Sequence, residues 1–150
     1  MYNRQIIDAG GLILTFNHNP GKIIDFSADD IKEYLEEVKN LISKNKYNLS
    51  VRNENEEFTN EYRLNSTKIK EIMLNLHYRD FCYAAVNRKP EFAHERLYVF
   101  CKEYELDHWG EFEDVLIYIK TNLTQLRNGE DFMILISFHE LKQPISYLFR

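Results

Sequence analysis

Short apolar runs separated by turn-forming residues occupy positions 4–26 of the chain. In order, these are Ile6-Ile7, Gly10-Gly11, Leu12 to Phe16, Asn19-Pro20-Gly21 and Ile23-Ile24. Gly-Gly and Asn-Pro-Gly supply the backbone freedom that tight turns need. The pattern therefore predicts two or three short strands joined by hairpin turns.

A helical period follows this region. Apolar residues recur three and four positions apart over positions 31–42, which places them along one face of a helix. Ser27 has the side chain of an N-cap, and Asp30, three residues later, completes a capping box. The polar face is not strongly basic, unlike that of a membrane-surface or calmodulin-binding helix. We expect a helix that packs on the core and ends near Lys44 or Lys46.

Two shorter helices are predicted after a polar bridge. Phe58 and Tyr62 lie four residues apart, and Asn65 or Ser66 is placed to cap the helix that follows. The apolar positions of that third helix are Ile69, Ile72, Met73 and Leu76.

The period changes again from Glu95 onward. Three segments are rich in β-branched and aromatic residues, namely Leu97 to Tyr104, Val115 to Leu123 and Phe132 to His139. We interpret them as strands of an antiparallel sheet, with Asp107 to Asp114 as a loop that carries an exposed acidic cluster. Hairpins, helices and a C-terminal sheet in that order favour the α+β class.

The composition is that of one folded domain covering residues 1–150. Hydrophobic residues make up 44% and charged residues 29%, which argues against a disordered or low-complexity chain. No run approaches the roughly 20 apolar residues of a membrane helix, and no leader pattern is present, so we expect a cytoplasmic protein. Cys82 and Cys101 are expected to be reduced and buried.

Charge and histidine spacing narrow the candidate chemistry. The net charge of −5 argues against non-specific binding along a nucleic-acid backbone, but it does not exclude a local basic pocket. His77, His94 and His108 form no ligand spacing with cysteines or acids, so we expect no metal site. No phosphate-binding glycine-rich loop or serine-hydrolase elbow occurs, and no cofactor is expected.

Strand alternation suggests one polar constellation. Each predicted C-terminal strand has an apolar set of alternate positions and a mixed set. If the mixed sets share a face, that face collects Lys102, Tyr118, Lys120, Ser137 and His139. Mixed faces are also typical of half-solvated surface, so alternation by itself leaves a purely structural interpretation open.

These side chains are the parts needed for RNA cleavage without a metal ion, in which the 2′-hydroxyl attacks its own phosphate. His139 can exchange a proton near neutral pH. Lys120 and Lys102 can stabilise the negative charge that develops on phosphorus oxygens. Tyr118 can donate a hydrogen bond or stack on a base.

A set of short pieces in fixed order extends from Val38 to Arg150, about three quarters of the chain. The pieces are Val38-Lys39-Asn40-Leu41-Ile42, Arg52-Asn53-Glu54-Asn55 with Phe58, Ile69-Lys70-Glu71-Ile72 with Leu74 and Leu76, Asp80-Phe81, Leu97-Tyr98-Val99-Phe100 with Lys102, Tyr118-Ile119-Lys120, and Ile136-Ser137-Phe138-His139-Glu140 with Pro144 and Tyr147-Leu148-Phe149. In these pieces the chain resembles the MqsR-like toxins of bacterial toxin–antitoxin systems.

The resemblance implies a RelE-type α+β fold and an endoribonuclease that cleaves messenger RNA and is silenced by an antitoxin protein. Tyr118 and Lys120 fall on the family's Tyr-x-Lys strand motif, and His139 stands where better-studied members have a lysine. A functional glutamine of the family has no counterpart here, and Lys102 is the closest polar candidate on that strand. The resemblance thus implies a catalytic set of His139, Lys120, Tyr118 and Lys102.

Substrate binding is assigned to Arg52 and Tyr83 by the same resemblance, with Tyr83 nearest to the position of a family lysine. The resemblance covers the toxin region within residues 27–150. Residues 1–26 have no counterpart in it and form an N-terminal hairpin extension.

The alternative is a non-catalytic binding module on the same fold, for example a mobile-element or phage inhibitor of a host-defence protein such as an anti-CRISPR. The acidic net charge and the replaced family side chains favour it. In that case the acidic segment around Glu111 and the N-terminal hairpins would form the contact surface.

Overall fold

The computed structural model describes residues 4–7, 13–16 and 21–150. Two N-terminal strands, β1 (Arg4–Ile7) and β2 (Ile13–Phe16), pair antiparallel in a small sheet of their own. This agrees with the strands predicted for the extension. The turns predicted at Gly10-Gly11 and Asn19-Pro20 lie outside the described residues.

Three α-helices and a six-stranded sheet make up most of the other described residues. The elements are β3 (Lys22–Ile23), α1 (Ala28–Ser43), β4 (Tyr47–Leu49), α2 (Asn53–Glu61), α3 (Ser66–Leu74), β5 (Phe81–Val86), β6 (Arg96–His108), β7 (Glu111–Gln125) and β8 (Asp131–Glu140). Their order in the sheet is β3-β5-β6-β7-β8-β4. Neighbours are antiparallel except β4, which pairs parallel to β8. The predicted α+β class is confirmed.

The helix boundaries follow the caps expected from the sequence. Ser27 Oγ accepts a hydrogen bond from the Asp30 amide, and the Asp30 carboxylate accepts one from the Ser27 amide, so the capping box forms. Asn65 caps α3 by accepting from the Lys68 amide. In the part of the chain that the structure describes, no helix has the length and apolar character needed to cross a membrane.

One face of the sheet carries the main core. The helices cover this face and bury large side chains that include Ile31, Ile42, Ile72, Met73, Phe81, Phe100, Ile117, Ile119 and Phe138. A buried hydrogen bond of 2.7 Å between Tyr34 Oη and Thr121 Oγ1 ties α1 to β7. We call this the helix face and the opposite side the open face.

The open face is covered at one end by the C-terminal segment. There Leu141, Ile145 and Tyr147 pack on a small buried cluster that contains both cysteines. Cys82 and Cys101 are buried and free, as predicted. Burial raises the pKa of the Cys82 thiol to about 12, so this thiol stays protonated and inert at neutral pH.

The loop predicted between Asp107 and Asp114 is wrong. Strands β6 and β7 continue through this region and meet in a two-residue turn at Trp109 and Gly110, both of which have positive φ. Two such residues match the twist of a hairpin, and the Asp107 carboxylate accepts a hydrogen bond of 2.8 Å from the Gly110 amide. Strands β4 and β5 were also not predicted.

A β-bulge in β8 decides which side chains reach the open face. Lys120 lies opposite Ser137 and Thr121 lies opposite Leu135, so Ile136 is an extra residue in β8. Before the bulge, Met133 and Leu135 point to the core, contrary to the predicted alternation that placed them with His139. After it, the odd-numbered positions of β8 lie on the open face.

Asn55 on α2 holds this bulge in place. Its side-chain nitrogen donates to the carbonyls of Ser50 and Ile136, each at 3.0 Å, and its Oδ1 accepts from the Phe138 amide at 2.8 Å. Asn55 is 1% exposed. It therefore pairs backbone groups that the bulge removes from the ladder and that water cannot reach.

Asn55→Ala should lower the free energy of unfolding by about 3 kcal/mol, because it leaves buried backbone donors and acceptors without partners. Urea denaturation of the variant measures this change. Asn53→Ala, an exposed asparagine on the same helix, is the matched control and should stay within about 0.5 kcal/mol of the parent. Equal free energies of unfolding for the two variants would contradict this role of Asn55.

Candidate functional site

A cleft of about 480 Å³ opens on the open face, where β7, β8, the start of α2 and the segment after β8 meet. Five of the six site residues predicted from the sequence line it: Arg52, Tyr83, Tyr118, Lys120 and His139. Ser137, the remaining member of the predicted polar face besides Lys102, lines it as well. The sheet register explains this grouping, since Tyr118 lies opposite His139 and Lys120 lies opposite Ser137.

Lys102 is not brought to the cleft. It lies opposite Ile117 and alternates with Phe100 and Tyr104, so it belongs to the helix face. Its Nζ is 3.2 Å from the nearly buried carboxylate of Asp80. The expectation that Lys102 shares a surface with Lys120 is therefore wrong, because β6 turns Val99 and Cys101 to the open face.

Arg150 completes a structural ion cluster around Asp80. Its Nη2 donates to Asp80 Oδ1 at 2.8 Å, and its Nε donates to the Arg79 carbonyl at 2.8 Å. Lys102 is the second cation of this cluster. We assign Lys102 a role in anchoring the C-terminal segment rather than in the cleft.

Each ring nitrogen of His139 has a polar neighbour, and the side chain is only 12% exposed. Its Nδ1 lies 2.9 Å from the Glu140 carbonyl oxygen, which can only accept a hydrogen bond, so Nδ1 carries a hydrogen. Its Nε2 lies 3.3 Å from Glu54 Oε2. This tautomer leaves Nε2 as the nitrogen that can take up and release a proton.

Tyr118 lies between His139 and Tyr83. Its ring stacks on the imidazole, with centroids 5.3 Å apart and planes inclined by 24°, and its hydroxyl is 3.3 Å from that of Tyr83. Burial, then the hydrogen bond with Tyr83, raises the pKa of Tyr118. Tyr118 therefore stays neutral at physiological pH and acts as a hydrogen-bonding and stacking group rather than as a base.

Lys120 and Arg52 supply positive charge to the cleft. Burial lowers the pKa of Lys120, and the nearby positive charges of Arg52 and Arg88 lower it further. Arg52 Nη1 donates to Ser137 Oγ at 3.4 Å. An anionic ligand stabilises two cations that lie close together and are partly removed from solvent.

Several residues of the cleft were not singled out in the sequence. Glu54 faces His139, and Lys142 Nζ lies 3.8 Å from the same carboxylate. Lys22 lies over the ring of Tyr83, with Nζ 4.7 Å from its centroid. Glu54 belongs to the piece Arg52-Asn53-Glu54-Asn55 of the family resemblance, and this membership was the signal that could have pointed to it. No local pattern in the sequence marks Lys22 or Lys142.

No family model, no curated protein and no solved structure matches this chain. The likeness to MqsR-like toxins therefore stays a prediction, and the geometry of the cleft carries the functional argument. Within the described residues, no group of three or more His, Cys, Asp or Glu side chains is arranged to hold a metal ion.

Lys120→Met should stabilise the folded protein at pH 7 by about 1 kcal/mol, or about 2–4 °C in Tm. A lysine whose pKa is lowered on folding destabilises the folded protein while it is charged, that is, at pH values below its folded-state pKa. This cost is relieved as the pH rises through that pKa. Thermal unfolding at pH 7 measures the gain.

Lys142→Met is the matched control, because Lys142 is an exposed lysine at the rim of the same cleft. Its Tm should stay close to that of the parent. A Tm for Lys120→Met below the parent value would show that the ammonium group stabilises the unliganded cleft.

Proposed function

We propose that the protein is an endoribonuclease of the toxin type, which cleaves messenger RNA in the open-face cleft and is neutralised by an antitoxin. The observation that supports this most is the meeting of His139, Lys120 and Arg52 in one cleft of nucleotide size. A proton-exchanging group beside partly buried cations is what intramolecular cleavage of RNA requires.

In the proposed reaction the RNA phosphate binds between Lys120 and Arg52. The 2′-hydroxyl attacks the adjacent phosphorus, the bond to the 5′-oxygen breaks, and a 2′,3′-cyclic phosphate forms. His139 transfers protons through Nε2, and its Nδ1 stays bound to the Glu140 carbonyl. Tyr118 and Tyr83 offer aromatic rings and hydroxyls that position the flanking base.

His139→Ala should reduce RNA cleavage about 100-fold or more, because it removes the proton-transfer group. The His139→Ala, Lys120→Ala double variant should abolish it. The assay follows cleavage of a messenger RNA by purified protein in buffer with EDTA, and a cyclic phosphate at the new 3′ end identifies the chemistry.

Lys102→Met serves as the comparison variant, since Lys102 lies on the helix face; cleavage per folded molecule should stay near the parent level. Full activity in the double variant would exclude this site. Activity that chelation abolishes in the parent would replace the proposed chemistry by a metal-dependent one.

The alkaline side of the pH–rate profile should depend on Lys120. Because its pKa is lowered, Lys120 loses its proton and its charge at a lower pH than an ordinary lysine as the pH rises. Arginine stays charged throughout this range, so Lys120→Arg should move the alkaline decline to higher pH. Rates are normalised to their maximum after subtraction of hydrolysis without protein. An unmoved decline would assign it to another group.

The second candidate function is a binding module, and an exposed aromatic pair favours it. Trp109 and Phe112 at the tip of the β6–β7 hairpin are 66% and 71% exposed, and the Arg63 guanidinium lies over the Trp109 ring. Aromatic side chains of this kind are enriched in protein interfaces. A tip that binds the antitoxin is compatible with catalysis in the cleft, whereas a protein without cleavage activity would leave binding as the function.

A further inference from the structure

A second groove continues from the cleft along the open face of the sheet. It encloses about 760 Å³ and shares Lys22, Arg52, Tyr83 and Lys120 with the cleft. Its own walls come from β5, the start of β6 and the middle of β7 and β8. We call it the flank groove.

The flank groove is positively charged although the protein as a whole is not. Five cations line it, namely Lys22, Arg52, Arg88, Lys89 and Lys120, against one carboxylate, Glu95. Among residues 21–150, none of the five forms an ion pair. The net charge of the chain is −5. Cations concentrated along one groove of an acidic protein indicate an elongated anionic ligand.

The single carboxylate is engaged by the protein itself. Glu95 Oε1 accepts from Asn87 Nδ2 at 3.3 Å and from Asn122 Nδ2 at 3.1 Å, and its Oε2 accepts from Thr124 Oγ1 at 3.2 Å. These contacts join the loop after β5 to β7. Glu95 thus orients a polar cluster on the groove wall rather than repelling an anion from an open position.

Asn122 has an acceptor that the protein does not use. The residue is 5% exposed, and its Oδ1 is buried without a hydrogen-bond partner within the described residues. A carboxylate only accepts hydrogen bonds, so Glu95 fixes the amide with its nitrogen toward itself and Oδ1 on the other side. A buried acceptor left unpaired in a groove wall is costly, and it points to a ligand that donates a hydrogen bond.

We propose that the flank groove binds a nucleotide next to the cleaved phosphate of single-stranded RNA and selects a base that carries an exocyclic amine. Arg88 and Lys22 bind the backbone phosphate, and Asn122 Oδ1 accepts a hydrogen bond from the amine. Adenine, cytosine and guanine have such an amine, whereas uracil has a carbonyl oxygen at the position of the cytosine amine and donates only from its ring. This inference rests on the proposed function, because the nucleotide is placed relative to a phosphate in the cleft.

Cytosine and uracil have the same size and differ at the position of this amine, so they make a matched pair of probes. Fluorescent 2′-O-methyl oligocytidylate and oligouridylate cannot be cleaved at their blocked 2′-oxygen. The parent protein should bind the cytidine oligomer about tenfold more tightly, as measured by fluorescence anisotropy at neutral pH and fixed salt.

Two variants test the base contact. Asn122→Ala should bring the two affinities together. In Glu95→Gln the neutral side chain can also donate, so the Asn122 amide is free to turn its nitrogen into the groove, and the preference for cytidine should vanish or reverse. Glu95→Gln keeps the size of the side chain, so it stays informative if Asn122→Ala fails to fold. An unchanged preference in folded Glu95→Gln would overturn the assignment.

Arg88→Ala tests the phosphate contact. It should weaken both oligomers to the same degree and reduce the slope of log affinity against log salt by about one. Lys44→Ala, an exposed lysine at the end of α1, is the control and should change neither. Equal effects of the two substitutions on affinity and salt dependence would overturn the proposal that RNA binds in the flank groove.

The outcomes separate this inference from the proposed cleavage. Base-selective binding that depends on Asn122 and Arg88, in a parent that cuts no RNA, supports the groove and contradicts the nuclease. Cleavage by the parent, with a base preference that is unaltered in both Asn122→Ala and Glu95→Gln, contradicts the groove and leaves the nuclease standing. Binding of polyglutamate in place of either oligomer would overturn the groove in favour of an acidic protein ligand.

Discussion

The cleft depends on Asn55, a buried side chain that is not one of the proposed catalytic residues. A bulge in β8 shifts the alternation of the strand, so that His139 falls beside Tyr118 while Met133 and Leu135 stay in the core. The bulge leaves backbone groups unpaired in a dry environment, and Asn55 satisfies them from α2. One buried amide therefore fixes the strand register, the docking of α2 and the direction of the imidazole together.

The same docking brings opposite charges to the open face. Arg52 precedes α2, and Glu54 lies in the first turn of this helix. When Asn55 docks on β8, the Arg52 guanidinium therefore contacts Ser137 and the Glu54 carboxylate lies near His139. Lys120 completes a cluster in which positive charges stand close together and partly desolvated. Such crowding is unfavourable for the empty protein, and it is relieved when an anion enters, which is a common feature of sites built for binding or catalysis.

Local patterns were sufficient for the helices and for the middle of the long strands. Ser27 and Asp30 fix the start of α1 through contacts three residues apart, which a sequence displays directly. The hairpin turn was missed because Trp109 occupies a left-handed conformation that bulky residues rarely adopt. Strand β5 shows no clear alternation, and β4 is three residues long, so neither had a periodic signal.

The sequence predicted those parts of the site that lie on the neighbouring long strands β7 and β8. Alternation placed Tyr118, Lys120 and His139 together, although it assumed an unbroken β8 and put Lys102 on the wrong face. Glu54 and Asn122 owe their roles to contacts with His139 and Glu95. Those contacts join segments far apart in the chain, and no spacing within one segment reveals them.

The parallel pairing of β4 with β8 links residues 47–49 to residues 133–135, across most of the chain. Closing a loop of this length costs more chain entropy than a local contact does, so we expect this pairing late in folding. Until then Arg52 lies apart from Lys120 and His139, which the antiparallel pairing of β7 and β8 already brings together. A chain synthesised only as far as β7 accordingly carries no assembled cleft, because His139 and the strand that pairs with β4 are still missing.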